Sequence, residues 1–242
     1  MLGLGLQATL TNEGGGIAKK QPVKDGLVMY HQYQDFPTDS LRLSFPSEGS
    51  GEFNGTSDYI QLPSALPHTS FTASFWWNRG GSTGITTGII NGTGYNGNGW
   101  YTDTNASGAL QFISGNHILT SSVTGIAYAK WDYITITYDG TTKRIYINGS
   151  LTASGAGTIT TPTTYFQIGR YLNTSSYWSC NLTNLAIWNR ALTPDEINTA
   201  MWASYDQLPT SIKVGLQAWY ALDNITGTDV PDSTGNYNGT AY

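Results

Sequence analysis

Six aromatic residues sit in or beside polar loops. Tyr95, Trp100 and Tyr101 lie within or next to the run Gly92-Thr93-Gly94-Tyr95-Asn96-Gly97-Asn98-Gly99, and Tyr171, Tyr177 and Trp178 flank Asn173-Thr174-Ser175-Ser176. A sugar ring offers apolar C–H faces edged by hydroxyls, so aromatic platforms with amides and hydroxyls nearby suit it by stacking and hydrogen bonding. Tyrosine is also favoured in protein contacts. The six residues are therefore a candidate carbohydrate-binding set, with a protein-contact surface as the competing reading.

Bond-making chemistry finds less support. A glycosidase of sandwich type needs two carboxylates about 5–9 Å apart. The glutamates are Glu13, Glu48, Glu52 and Glu196, and none belongs to an E-x-D-x-E strand, whose period of two would aim alternate acids into one groove. His31, His68 and His117 are far apart and never spaced as H-x-x-x-H or H-x-H, so no zinc site is written. The glycine run from Gly92 lacks the Lys-Ser/Thr of a phosphate loop. The single cysteine, Cys180, excludes an intrachain disulfide and reads as a small apolar filler. The expectation is no catalytic residue, no metal and no cofactor.

Lys+Arg number 11 and Asp+Glu 16, a formal net charge of −5 over 242 residues. Charged residues are 11% of the chain, against about 25% in an average soluble protein. Eleven scattered cations leave no phosphate-binding footprint, so nucleic acid is not an expected partner. No apolar run approaches the 18 or so residues of a membrane span. Aromatic residues at 13% and 29 glycines speak for strands and tight turns, and against disorder.

The elements that must position these residues follow from periodicity. Phe71, Ala73, Phe75 and Trp77 share one face of a strand, as do Ile134, Ile136 and Tyr138 of the segment Trp131 to Tyr138. Asp139-Gly140 is suited to a two-residue hairpin, Lys143 to Ile147 returns, and Asn148-Gly149 reverses the chain again. Tyr165 to Ile168, Leu182 to Trp188 and Val214 to Leu222 are further strands. Turn signals every 8–15 residues are the rhythm of a β-sandwich. One helix is written near 194–203: Thr193 is its N-cap, Pro194 its first residue, and Glu196 stands at the third helical position, a capping box. Glu196 is thereby explained without catalysis.

Residues 1–24 read as an arm, with Leu2, Leu4 and Leu6 alternating with glycine before Gly14-Gly15-Gly16 and Lys19-Lys20. The domain proper is expected over 25–242. Gly26 to Tyr30 and Gly215 to Tyr220 look alike; either two such strands near the termini lie side by side and close the sandwich, or the likeness is only that of any Gly-Leu strand carrying an aromatic residue. The start lacks the cationic lead and long apolar block of a signal peptide, so the chain reads as made in a cytoplasm.

The block from Gly51 to Ile197 closely resembles the concanavalin A-like, laminin-G-like jelly-roll family. The matching stretches are Phe53-Asn54-Gly55-Thr56-Ser57-Asp58-Tyr59-Ile60, Phe71 to Trp76, Trp131 to Gly140, Ile145 to Gly149, and Leu185 to Ile197. The resemblance implies an all-β, two-sheet antiparallel jelly-roll sandwich with one short helix. Leu192 to Asn198, with a later strand near Trp219, looks like the pentraxin branch, but the acids of the pentraxin-like calcium site are missing. Its loop here reads Arg170-Tyr171-Leu172-Asn173. A Gly/Leu-rich start followed by one such domain is similar to structural proteins of tailed phages. That resemblance implies a non-enzymatic virion protein, a capsid decoration protein or head fibre. Its partners would be capsid or other virion proteins and further copies of itself, with cell-surface glycans as ligands. Leu2, Leu4 and Leu6 would anchor it. The alternatives are a tail-fibre or receptor-binding component and a free lectin.

Overall fold

The computed structural model describes residues 46–62, 69–80, 86–92, 99–124, 126, 130–159, 166–171 and 176–242. The chain divides into two compact units, Met1–Leu41 and Arg42–Tyr242. The expected anchoring arm, with Leu2, Leu4 and Leu6, and the strand expected over Gly26–Tyr30 fall outside the described residues.

Fifteen strands and two short helices make up the described part of the second unit: β1 (Gly51–Asn54), β2 (Ile60–Leu62), β3 (Phe71–Arg79), β4 (Thr86–Asn91), β5 (Tyr101–Thr104), β6 (Leu110–Ser114), β7 (His117–Thr120), β8 (Trp131–Tyr138), β9 (Thr142–Ile147), β10 (Ser150–Ala156), β11 (Phe166–Ile168), β12 (Ser179–Trp188), α1 (Pro194–Met201), α2 (Thr210–Lys213), β13 (Leu216–Tyr220), β14 (Asp229–Val230) and β15 (Gly239–Ala241). Their ladders are antiparallel and build two sheets. The first runs β1-β12-β3-β8-β9-β10 with β13 also on β12, and the second runs β14-β15-β2-β11-β4-β5-β6-β7.

The main core lies between the sheets. Phe71, Ala73, Phe75 and Trp77 of β3 point into it beside Ile134, Ile136 and Tyr138 of β8, as the period of two requires. Ile60, Leu62, Ile90, Leu110, Phe112, Phe166 and Ile168 meet them from the second sheet. The opposite face of the first sheet is also buried. Trp76, Tyr133, Tyr146, Trp188 and Trp219 form a second apolar cluster with Ile197, Ala200 and Met201 of α1 and Ile212 of α2. Seven consecutive residues of β3 are consequently buried, because one face meets the opposing sheet and the other meets the helices.

The capping box of α1 is present. Thr193 N–H donates to Glu196 Oε2 at 2.8 Å, and Glu196 N–H donates to Thr193 Oγ1 at 3.3 Å. Arg190 ties the helix to the following segment, donating to Glu196 Oε2 at 2.8 Å and to the Val214 carbonyl at 2.7 Å. That partner and the box hold the Glu196 carboxyl below its usual range. The helix α2 has no sequence signature, since its N-cap is Pro209, which makes no side-chain capping bond.

Two turns differ in an instructive way. Asn148 and Gly149 both have positive φ, at 52° and 77°, as a two-residue hairpin of this type demands. At the other turn only Gly140 does, at 99°. Asp139, expected as the first of the two central residues, instead stands just before them, and its Oδ1 accepts from the N–H groups of Thr141 and Thr142. The turn is therefore centred on Gly140-Thr141, and Asp139 braces it as an Asx motif.

Candidate functional site: a tyrosine and arginine patch

One row of residues crosses the second sheet on the face away from the core. Gln61 pairs with Gln167, Gln167 with Asn91, Asn91 with Tyr101, and Tyr101 with Ile113. Their sequence neighbours Ile60, Ile168, Ile90 and Phe112 point the other way, into the core. Gln167 and Asn91 are buried, whereas Tyr101 is half-buried.

Around this row the tyrosines gather. The rings of Tyr101 and Tyr171 meet edge to face, with centroids 5.2 Å apart. Their hydroxyls are hydrogen-bonded, and burial, helped by that bond, pushes the Tyr101 phenol well above its usual range. Arg170 and Tyr177 face each other in an isolated antiparallel bridge. The Arg170 guanidinium lies 4.7 Å from the Tyr59 ring centre and 5.4 Å from that of Tyr177. Tyr59 in turn stacks on Tyr242 with centroids 4.7 Å apart and planes 5° off parallel. Tyr59, Tyr101, Tyr171 and Tyr177 are half-buried, and Tyr242 is 59% exposed. Phenol faces, phenol hydroxyls and a guanidinium thus share one solvent-facing patch.

Of the six expected platform residues, Tyr101, Tyr171 and Tyr177 are in this patch and Tyr95 lies outside the described residues. Trp100 and Trp178 are corrections. They are 0% and 1% exposed and belong to the core between the sheets. Trp100 stacks on Phe71 at 4.6 Å and meets Phe112 and Phe166 edge-on, while Trp178 packs on Trp77 at 4.8 Å. Neither indole N–H has a hydrogen-bond partner among the described residues, a cost that full burial of the rings must outweigh. A ring enclosed in this way has no face to offer a sugar. Tyr59, Tyr242 and Arg170 are site members that loop composition alone did not pick out.

A model of the concanavalin A-like lectin/glucanases superfamily, in its laminin-G-like form, matches residues 54–198. The chain belongs to this superfamily. A solved candidate carbohydrate binding protein from Bacteroides ovatus superposes with a TM-score of 0.64 at 21% identity, over 79% of this chain and 57% of that one. This chain therefore spans little more than half of that relative. A heptameric SAP-like pentraxin from Limulus polyphemus superposes with a TM-score of 0.51 at 16% identity, over 75% of this chain and 91% of that one. At these identities the likeness concerns the fold. No curated protein matches the sequence.

For a member of this superfamily, the arrangement of acids matters. Among the described residues no three His, Cys, Asp or Glu side chains gather where they could hold a metal ion. Asp58 is engaged by its own turn, accepting from Asn54 N–H at 3.1 Å and Asn54 Nδ2 at 2.7 Å. Asp232 accepts from Trp219 N–H at 2.8 Å and Tyr237 N–H at 3.0 Å, fastening the C-terminal segment to β13. Asp103 differs. It is 5% exposed on the same face as Tyr101, its Oδ1 has no hydrogen-bond partner among the described residues, and burial pushes its carboxyl up to about 7. Cys180 is buried, and burial likewise pushes its thiol up, as for an inert apolar filler. The run Gly80-Gly81-Ser82-Thr83-Gly84 spells G-x-S-x-G, but it connects β3 to β4. A nucleophile elbow needs a helix after its strand, and here a second strand follows.

Proposed function

We propose that this chain is a non-enzymatic adhesive module whose jelly roll binds surface glycans through Tyr59, Tyr101, Arg170, Tyr171 and Tyr177. The observation that carries the reading is the patch itself. One partly open aromatic cluster, Tyr59 with Tyr177 and Tyr242, holds the Arg170 guanidinium, and the Tyr101–Tyr171 pair stands at a row of amides. The rings supply stacking faces, and the phenols and guanidinium supply directional hydrogen bonds to sugar hydroxyls. A glycan array probed with the full chain and with Tyr177→Ala tests it. Binding to a subset of glycans that the substitution weakens supports the reading, and an array without sugar-dependent signal sinks it.

The setting we propose for this module is a phage particle, as a capsid decoration protein or head fibre. A tail-fibre or receptor-binding component is the alternative, followed by a free lectin. The feature that supports the setting is the Gly/Leu-rich segment with Leu2, Leu4 and Leu6 ahead of the laminin-G-like domain. Removing residues 1–20 should abolish association with particles and leave the jelly roll folded. A truncated chain that still decorates particles contradicts the anchor.

A further inference from the structure

Three aspartates among the described residues are more than nine-tenths buried, and two of them are held by donors. Asp132 accepts from Asn148 Nδ2 at 2.8 Å and pairs with Lys130 at 3.1 Å, and Asp232 accepts from Trp219 N–H at 2.8 Å and Tyr237 N–H at 3.0 Å. Asp103 is the exception. It is 5% exposed, and its buried Oδ1 meets no hydrogen-bond donor among the described residues. Buried polar atoms normally find partners, and a buried carboxylate without one is costly. Stability offers no reason for an acid here.

The place of Asp103 in β5 ties it to the tyrosine patch. Trp100 belongs to the core between the sheets, and the period of two carries Thr102 and Thr104 to the same side. Tyr101 and Asp103 therefore share the opposite face, with Cα atoms about 7 Å apart. Their side chains are within electrostatic reach: burial and the hydroxyl bond to Tyr171 raise the Tyr101 phenol, and the charge of Asp103 adds to them. The flanking strands β4 and β6 hold no ionisable residue, and the cross-strand neighbour Gln111 gives its Nε2 to Thr120 Oγ1 at 2.9 Å. Burial accordingly raises the Asp103 carboxyl from 3.8 to about 7, with no partner to offset it.

We infer that Asp103 is a specificity-determining residue of the patch and selects neutral sugar units, whose hydroxyl groups donate to its carboxylate. The inference rests on the reading of the patch as a glycan surface. Hydrogen bonds to a charged acceptor are the strong ones, and a sugar with hydroxyls alone supplies donors without a charge to repel. An acidic sugar sets a second carboxylate against the first. Arg170 does not reverse this preference, because its guanidinium already lies against the rings of Tyr59 and Tyr177, whereas Asp103 Oδ1 has no partner to exchange.

The test is NMR of the full chain labelled with carbon-13 at its aspartate carboxyls and tyrosine rings. It is titrated at pH 8 with the methyl glycosides of glucose, galactose and mannose and with glucuronate, each to about 100 mM. At least one neutral glycoside should move the Asp103 carboxyl signal and the Tyr101 and Tyr171 ring signals along one saturable curve. Glucuronate should leave the carboxyl signal still. Asp103→Asn keeps the shape of the side chain and removes a buried charge, so it folds, and it should weaken binding of that glycoside by about fivefold or more. Native affinity should fall by about threefold or more from pH 8 to pH 5.5, as protonation removes the carboxylate, while the affinity of the Asn variant stays level. A glycoside that moves the tyrosine rings but not the Asp103 carboxyl, glucuronate binding as tightly as the neutral sugars, a native affinity level with pH, or an unchanged affinity in Asp103→Asn would overturn the assignment and leave the patch standing. Sugars that move neither set of signals would overturn both.

Discussion

Lys143 offers the sharpest physical check on the sandwich. It lies on β9 with its side chain directed between the sheets, 1% exposed. Its Nζ donates to the carbonyls of His117 at 2.6 Å and Phe112 at 3.3 Å, and lies 5.1 Å from the Phe112 ring centre. No carboxylate pairs with it among the described residues, so burial lowers its pKa from 10.5 to about 8. Between those two values the unfolded chain holds the proton and the folded chain does not, so stability rises with pH. From pH 7.5 to 9.5 the linkage relation gives a rise of about 2 kcal/mol. The carbonyls that accept from the ammonium stabilise its charged form and bring this to about 1–2 kcal/mol. Tyrosines and Cys180, whose burial raises their pKa values, work in the opposite sense as pH climbs past 9. The useful quantity is therefore a difference. Urea unfolding of the native chain and of Lys143→Met at pH 7.5, 8.5 and 9.5 should show the native chain gaining on the variant at each step. A constant gap would refute the reasoning, because it would mean that Lys143 keeps the same pKa folded and unfolded.

Further outcomes follow from single contacts. Thr193→Ala should cost about 1 kcal/mol and lower the melting temperature, since it removes one half of the α1 capping box. Gly149→Ala should destabilise by more than about 1 kcal/mol in urea unfolding, because φ is 77° and an added Cβ collides with Asn198 Oδ1. Asp103→Asn should flatten the loss of stability between about pH 4 and 7. The folded-state pKa is raised from 3.8 to about 7, so protonation favours the folded state and ionisation through that window weakens it, as melting curves across the range would show. Tyr177→Ala should weaken glycan binding by about two- to tenfold, the worth of one aromatic contact at about 0.5–1.5 kcal/mol, without a matching change in melting temperature.

The fold was legible because period and turn chemistry agreed. The alternation in β3 and β8, the Asn148-Gly149 reversal and the Thr193–Glu196 box each encode one local geometry, and the structure has all three. The bulge in β12 was not legible, since nothing in Leu182-Thr183-Asn184-Leu185 marks an extra residue until the core needs Leu185 inside. The two misplaced tryptophans teach a more useful lesson. Trp100 and Trp178 each stand one residue before a strand. Carrying the period of two back from Thr102 and Thr104, and from Cys180 and Leu182, puts both indoles inside. The same count puts Tyr101 and Tyr177 outside. Strand parity, rather than loop composition, separates platform from core. Tyr59 and Tyr242 join the patch through contacts between segments far apart in the chain, which spacing does not reveal.

The central claim is that the tyrosines around Arg170 are the contact surface. The most direct measurement is a titration of tyrosine-labelled protein, followed by NMR, with the glycans that an array selects. The account predicts that ring signals of Tyr59, Tyr101, Tyr171 and Tyr177 move together while those of the enclosed Tyr133 and Tyr220 stay still. Binding that leaves the patch signals in place would contradict it.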